Sequence, residues 1–119
     1  MNNKDVINQF IELFNQSDHN GLAELYHESA TNHQVATESI TGKDNIREMF
    51  RREFENAEMI CIPENIFADG DWVILEWKDP TGLRGCGFFK LKDLKIEFQR
   101  GYWDMLTFLR AQGLPLPTE

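Results

Sequence analysis

Histidines, carboxylates and side-chain amides are the residues of this chain equipped for chemistry, and their spacing limits what that chemistry is. The histidines are His19, His27 and His33. None stands four residues from another, and no carboxylate pair lies beside them, so the sequence presents no metal motif and implies no cofactor. His19 and His27 fall at helix ends, where solvent exposure is expected. His33 lies between Asn32 and Gln34 in a strand-like run. Alternation along a strand turns Asn32 and Gln34 to one face and His33 to the other. Two amides on a buried face can hold a water or the polar group of a ligand, because a buried amide needs partners. Asp79 heads Asp79-Pro80-Thr81-Gly82, which is turn chemistry. Asp104 stands where a helix N-cap belongs. His33, Asp79 and Asp104 are the acid–base candidates, each with a structural role competing for it. Cys61 and Cys86 sit in strand-like runs and read as small hydrophobes rather than nucleophiles.

Composition narrows the partners. Net charge is −8, from 12 basic and 20 acidic residues. An acidic surface repels phosphate backbones and anionic lipid heads, which argues against nucleic acid and membrane surfaces. Lys90, Lys92 and Lys95, the densest basic cluster, surround a turn and read as a solvated hairpin end. No apolar run approaches the roughly 20 residues of a membrane span. No charged, apolar, small-residue leader opens the chain, so a cytoplasmic location with reduced thiols is expected. Nine Phe, three Trp and two Tyr exceed what a minimal core needs. Some of that surface is available to line a cavity.

The elements that position these residues follow from periodicity. Residues 4–16 carry Val6, Ile7, Phe10, Ile11, Leu13 and Phe14 at helical spacing. A short second helix carries Leu22, Leu25 and Tyr26. A strand spans 30–35. Thr41-Gly42-Lys43-Asp44 reads as a capping box before a third helix that buries Ile46, Met49, Phe50 and Phe54. From Met59 the period becomes two. Strands are expected at 59–67, interrupted at Pro63, then 72–78, 84–91 and 94–103. Asp69-Gly70-Asp71 and Asp79-Pro80-Thr81-Gly82 supply the turns. A final short helix after Asp104 carries Leu106, Phe108 and Leu109, ended by Gly113 and Pro115. The fold class is α+β: residues 1–119 form one domain, a cone-shaped, curved antiparallel sheet packed on three helices with a short C-terminal helix.

This order, with several local motifs, resembles the nuclear transport factor 2-like superfamily, in particular its SnoaL-like, ketosteroid isomerase-like and limonene epoxide hydrolase-like members. The motifs are Phe10-Ile11-Glu12-Leu13 leading to Leu25-Tyr26-His27-Glu28-Ser29-Ala30, then Thr41-Gly42-Lys43-Asp44-Asn45-Ile46. They continue with Lys95 through Asp104 and the tail Gly113-Leu114-Pro115-Leu116-Pro117. The likeness covers nearly the whole chain. It implies a pocket but not an activity, because the fold hosts unrelated chemistries. Ketosteroid isomerase-like members use a Tyr and two Asp, and those positions match Phe10, Gln34 and Gly87 here. Limonene epoxide hydrolase-like members hold a water with a Tyr and an Asn, matching Asn32 and Gln34. Their Arg and two Asp match Trp77, Asp79 and Gly101. Neither set of ionisable groups survives whole, Asp79 alone keeping its acid, and enolisation or epoxide opening needs the full set. SnoaL-like cyclases use a His–Asp pair, for which His33 is the strand candidate.

Three functions stay open at this point. One is a pocket for a small apolar or aromatic molecule; another is an isomerase, cyclase or hydrolase with a relocated site; the third is a dimeric interaction module without ligand. The expected pocket wall comprises Phe14, Tyr26, Asn32, Gln34, Phe50, Trp77, Trp103 and Phe108, polar near the two amides. Trp77 shares its strand face with Val73 and Leu75. Phe88, Ile96, Phe98 and Tyr102 would form a second bulky face, covered by a homodimer through the sheet, with Arg100 pairing a carboxylate there.

Overall fold

The computed structural model describes residues 1–117. The elements are α1 (Asn3–Asn15), α2 (His19–Ala23), β1 (Tyr26–Gln34), β2 (Ser39–Thr41) and α3 (Lys43–Asn56). They continue with β3 (Ile62–Asp69), β4 (Trp72–Lys78), β5 (Arg84–Lys92), β6 (Lys95–Trp103) and α4 (Met105–Ala111). The six strands make one curved sheet in the order β2-β1-β6-β5-β4-β3, whose two edges do not pair, so it is open rather than a closed barrel. The α+β class and the C-terminal helix expected from the sequence are as found.

α1 begins at a true capping box. Asn2 accepts from the Asp5 N–H, while the Asp5 carboxylate accepts from the Asn2 N–H. Its apolar stripe buries Val6, Ile7, Phe10 and Ile11. α1 packs on β3 and β4, α3 packs on β1 and β2, and α2 wedges between α1 and α3. The core lies between these helices and the inner sheet face, with Tyr26, Ala30, Val73, Leu75, Phe89, Leu91 and Ile96 meeting Ile46 and Phe50 from α3. Asn15 ties the end of α1 to the start of β3. It donates to the Cys61 carbonyl at 3.0 Å and accepts from the Cys61 N–H at 2.7 Å.

Several local expectations give way to tertiary pairing. Tyr26 opens β1 instead of closing α2, and Glu24 and Leu25 link them. Thr41 does not cap α3. It ends the short strand β2, which periodicity missed, and its hydroxyl sits 3.2 Å from that of Thr31 on the paired strand. The N-cap is Gly42, whose φ of 99° glycine tolerates and which offers no side-chain cap, and the helix starts at Lys43. The sheet is not wholly antiparallel, because β1 runs parallel to β6. β3 starts at Ile62 rather than Met59, and its register shifts between Pro63 and Asn65, where proline cannot extend the ladder. A second irregularity between Lys90 and Leu91 sets Lys90 opposite Phe98 and Leu91 opposite Ile96. That bulge turns Ile96 into the core, fully buried, while Phe98 stays on the outer face.

Candidate functional site

A cavity of about 480 Å³ lies between the inner sheet face and the helices. Volumes of this size hold small organic molecules. Its aromatic wall draws on every layer: Phe10 and Phe14 from α1, Phe50 from α3, Phe89 from β5, Trp77 from β4, Trp103 from β6 and Phe108 from α4. The rings pack mainly edge-to-face and tilted, for example Phe14 on Phe54 at 5.4 Å, Phe10 on Phe89 at 5.2 Å and Trp103 on Phe108 at 5.4 Å. Glycine makes room for them. A Cβ on Gly85 would stand 2.6 Å from the Trp77 ring and 2.6 Å from the Tyr102 carbonyl oxygen, so the indole lies against bare backbone.

One end of the wall is polar. Gln34 Nε2 donates to Asn32 Oδ1 at 2.8 Å, and Trp103 Nε1 donates to Gln34 Oε1 at 2.9 Å. Asn32 Nδ2 donates to Gln99 Oε1 at 3.1 Å, and the Tyr26 hydroxyl donates to the same oxygen. Tyr26 and Asn32 are each 1% exposed, and Gln99 is 7% exposed. Burial raises the Tyr26 pKa well above its ordinary value, so the phenol stays protonated as a donor. The hydrogen bonds of the Gln99 side chain among the described residues both fall on Oε1, and Gln99 lines the cavity, so its Nε2 remains as a donor for an occupant.

Of the expected pocket residues, Phe14, Gln34, Phe50, Trp77, Trp103 and Phe108 line the cavity. Tyr26 and Asn32 do not; they form a buried second layer that holds Gln34 and Gln99 in place. His33 leaves the inner face, as alternation requires, and pairs in register with Arg100 outside. Asp79 lines the cavity, but its Oδ1 already accepts from the Thr81 N–H, the Thr81 hydroxyl and the Leu83 N–H. Asp104 caps α4 through the Thr107 hydroxyl and N–H, bonds that hold its pKa below the ordinary value. Of the three acid–base candidates only Asp79 reaches the cavity, with Oδ1 committed to its own turn and Oδ2 without a hydrogen-bond partner among the described residues. Cys61 does line it, but burial pushes its thiol up to about 12, which leaves no thiolate near neutrality.

Among the cavity residues outside the expected wall, two carry polar chemistry that bears on an occupant. Gln99 shares a strand face with Gly101 and Trp103, a placement that alternation from Trp103 reveals. Glu53 stands three residues after Phe50 and seven after Ile46, on the apolar stripe of α3. A carboxylate on that stripe is the signal. Burial raises its pKa to about 7.

Comparison with known proteins settles the lineage. The SnoaL-like domain family matches residues 7–98. The chain belongs to that family. Solved structures agree on the fold. The epoxide hydrolase/cyclase-like enzyme SalBIII, which acts in pyran ring formation in the polyether salinomycin, is similar at 23% identity and TM-score 0.78, over 88% of this chain and 92% of that one. An LEH-like epoxide hydrolase of M. tuberculosis is similar at 19% identity and TM-score 0.77, over 91% and 86%. A protein with a ketosteroid isomerase-like fold from Catenulispora acidiphila, in complex with trimethylamine, reaches TM-score 0.82 at 15% identity, over 92% and 93%. Among curated proteins none matches this sequence. The acids that the family resemblance assigns near Gly87 and at Gly101 are absent from a SnoaL-like wall that both glycines line. Among the described residues no group of three His, Cys, Asp or Glu is placed to hold a metal, and no helix is long and apolar enough to cross a membrane.

Proposed function

We propose that this SnoaL-like chain binds a small, largely apolar, aromatic molecule between its sheet and helices, with a polar substituent at the Gln34–Gln99 end. The observation that carries the reading is the cavity of about 480 Å³, walled by aromatic rings and closed at one end by ordered amides. Apolar walls supply affinity, and a few fixed polar groups supply orientation. 2-Naphthylmethanol, an aromatic body with one hydroxyl, is a suitable probe. It is expected to raise the melting temperature, because a ligand present at a hundred times its Kd stabilises by about 2.7 kcal/mol. Ala57→Trp, which puts an indole into the wall, is expected to abolish that shift while the protein still folds. No shift in the parent protein would defeat the reading.

The same reading has two copies pairing through the outer sheet face. Phe67 is 59% exposed and Tyr102 is 41% exposed, beside partly covered Trp72, Ile74, Phe88 and Phe98. The Arg100 guanidinium lies 5.6 to 5.9 Å from the Phe88, Phe98 and Tyr102 ring centroids, and its buried Nε has no hydrogen-bond partner among the described residues. A two-fold contact covers such a patch and brings an acceptor to that nitrogen. Sedimentation at micromolar concentration is expected to give a dimer, and Phe98→Asp a monomer. A monomeric parent protein would count against the pairing.

A further inference from the structure

The carboxylates of α3 fall into two sets. Asp44, Glu48 and Glu55 bear arginines on the solvent side: Arg47 on Asp44 at 2.6 Å, Arg51 on Glu48 at 2.5 Å and on Glu55 at 2.7 Å. Glu53 faces the other way and lines the cavity. It has no hydrogen-bond or ion-pair partner among the described residues. An unpaired carboxyl on the apolar stripe of a helix works against the fold unless something else uses it.

Among the described residues no cation is set to answer it from inside. α1 contributes Phe10 and Phe14 to the wall, and α4 contributes Met105 and Phe108, none of them ionisable. From β1 comes the buried Tyr26 phenol, whose pKa Glu53 helps to raise. The segment after α3 brings Glu58 and the protonated Cys61 thiol, and the end of β4 brings Asp79, held by its own turn. Among the described residues the single basic side chain in the wall is Arg52, which is 70% exposed and bonded to Glu48. The cavity is thus aromatic and acidic, a combination suited to a cation that is itself attached to an apolar body.

We infer that the ligand of this cavity carries a basic nitrogen, an ammonium that pairs with Glu53 while its apolar body lies among Phe14, Phe50 and Trp77. This rests on the cavity being a ligand site and goes further by giving the class of ligand. Binding of an ammonium favours the ionised carboxyl, so Glu53, raised to about 7 in the free protein, gives up its proton as the complex forms.

Titration calorimetry with 2-naphthylmethylamine and with 2-naphthylmethanol, on the whole chain at pH 6 and pH 8, tests it. The amine stays protonated across this range, whereas the ionised fraction of a carboxyl near 7 rises from roughly 0.1 to 0.9. Amine affinity is therefore expected to rise about tenfold from pH 6 to pH 8. Close to one proton should be released per amine bound at pH 6, read from buffers of different ionisation enthalpy. Alcohol affinity should not change with pH. Glu53→Gln is expected to erase both the pH dependence and the proton release of the amine, and to weaken the amine at pH 8 more than it weakens the alcohol. If the alcohol binds and the amine is no tighter and no more pH-dependent, the amine assignment is wrong and the cavity reading stands. Amine binding unchanged by Glu53→Gln places the contact on the acidic surface and also overturns the assignment. If neither compound binds, both readings fall.

Discussion

Glu53→Gln is expected to make the protein more stable at pH 8 by up to about 3 kcal/mol and to leave its stability near pH 4.5 almost unchanged. The cause is linkage. Burial raises the Glu53 pKa from 4.5 to about 7. Between those values the folded state holds a proton that the unfolded state has released, so stability falls as pH rises through that window and the loss is complete above about 7. A shift of 2.5 units, from 4.5 to about 7, corresponds to about 3 kcal/mol at 1.36 kcal/mol per unit, less whatever water in the open cavity returns to the carboxylate. Gln keeps the shape and removes the charge. The exposed carboxylates Glu24, Glu48 and Asp104 have pKa values below the ordinary range, so their contributions are lost at lower pH and lie outside this window. The histidines are common to both proteins and cancel in the difference. Chemical denaturation of the two proteins at pH 4.5, 6 and 8 reads the effect directly. A gap that does not widen with pH would mean that Glu53 is well hydrated. An amine occupant would then gain no special partner there.

The carboxyl of Glu53 on the α3 stripe was legible in the sequence before any coordinates. Ile46, Phe50 and Glu53 have helical spacing, so a reader looking for apolar periodicity passes over the interruption. Breaks of a local rule concentrate where a site is built. The strands were easier. β4 came out at 72–78 in full because Val73, Leu75 and Trp77 alternate with Trp72, Ile74 and Glu76 between two turn signals. Asp69-Gly70-Asp71 closed its hairpin as expected, with Gly70 at φ 58°. What periodicity could not carry was long-range pairing. Nothing local in residues 26–34 says that this strand runs parallel to the last one, or that β2 forms beside it. The bulge that separates Ile96 from Phe98 likewise depends on how β6 meets β5. One residue of extra backbone reverses every face before it, which moved Ile96 from an expected dimer surface to the core. The aromatic wall tolerated these errors because Phe14, Phe50, Trp77, Trp103 and Phe108 sit in elements whose facing was correct. At the amide end Gln34 reaches the cavity, while Asn32 and Tyr26 form the layer behind it.

Gln99 joins that hidden layer to the cavity, and removing it is expected to cost more than any other polar change in the wall. Its Oε1 accepts from both the Tyr26 hydroxyl and Asn32 Nδ2, two groups that are each 1% exposed. Leucine at this position fills a similar volume but accepts nothing. Both donors would be buried with poorer partners, the remaining contact between Asn32 Nδ2 and the Tyr26 oxygen being 3.4 Å long. An unsatisfied buried donor costs about 1–3 kcal/mol, so Gln99→Leu is expected to destabilise by about 2–5 kcal/mol in urea denaturation. The partners should not behave as independent sites. Tyr26→Phe removes one of the stranded donors, so adding it to Gln99→Leu is expected to cost less than the sum of the single changes, with a coupling of about 0.5–3 kcal/mol. The ligand side separates a structural network from a reading one. In Gln99→Leu the naphthyl alcohol loses the free Gln99 Nε2 donor, so its affinity should fall, whereas in Tyr26→Phe, which does not line the cavity, it should hold. Additive stabilities would dissolve the network. Equal loss of alcohol binding in both variants would mean that the amides act by keeping the wall in shape and do not themselves contact the occupant.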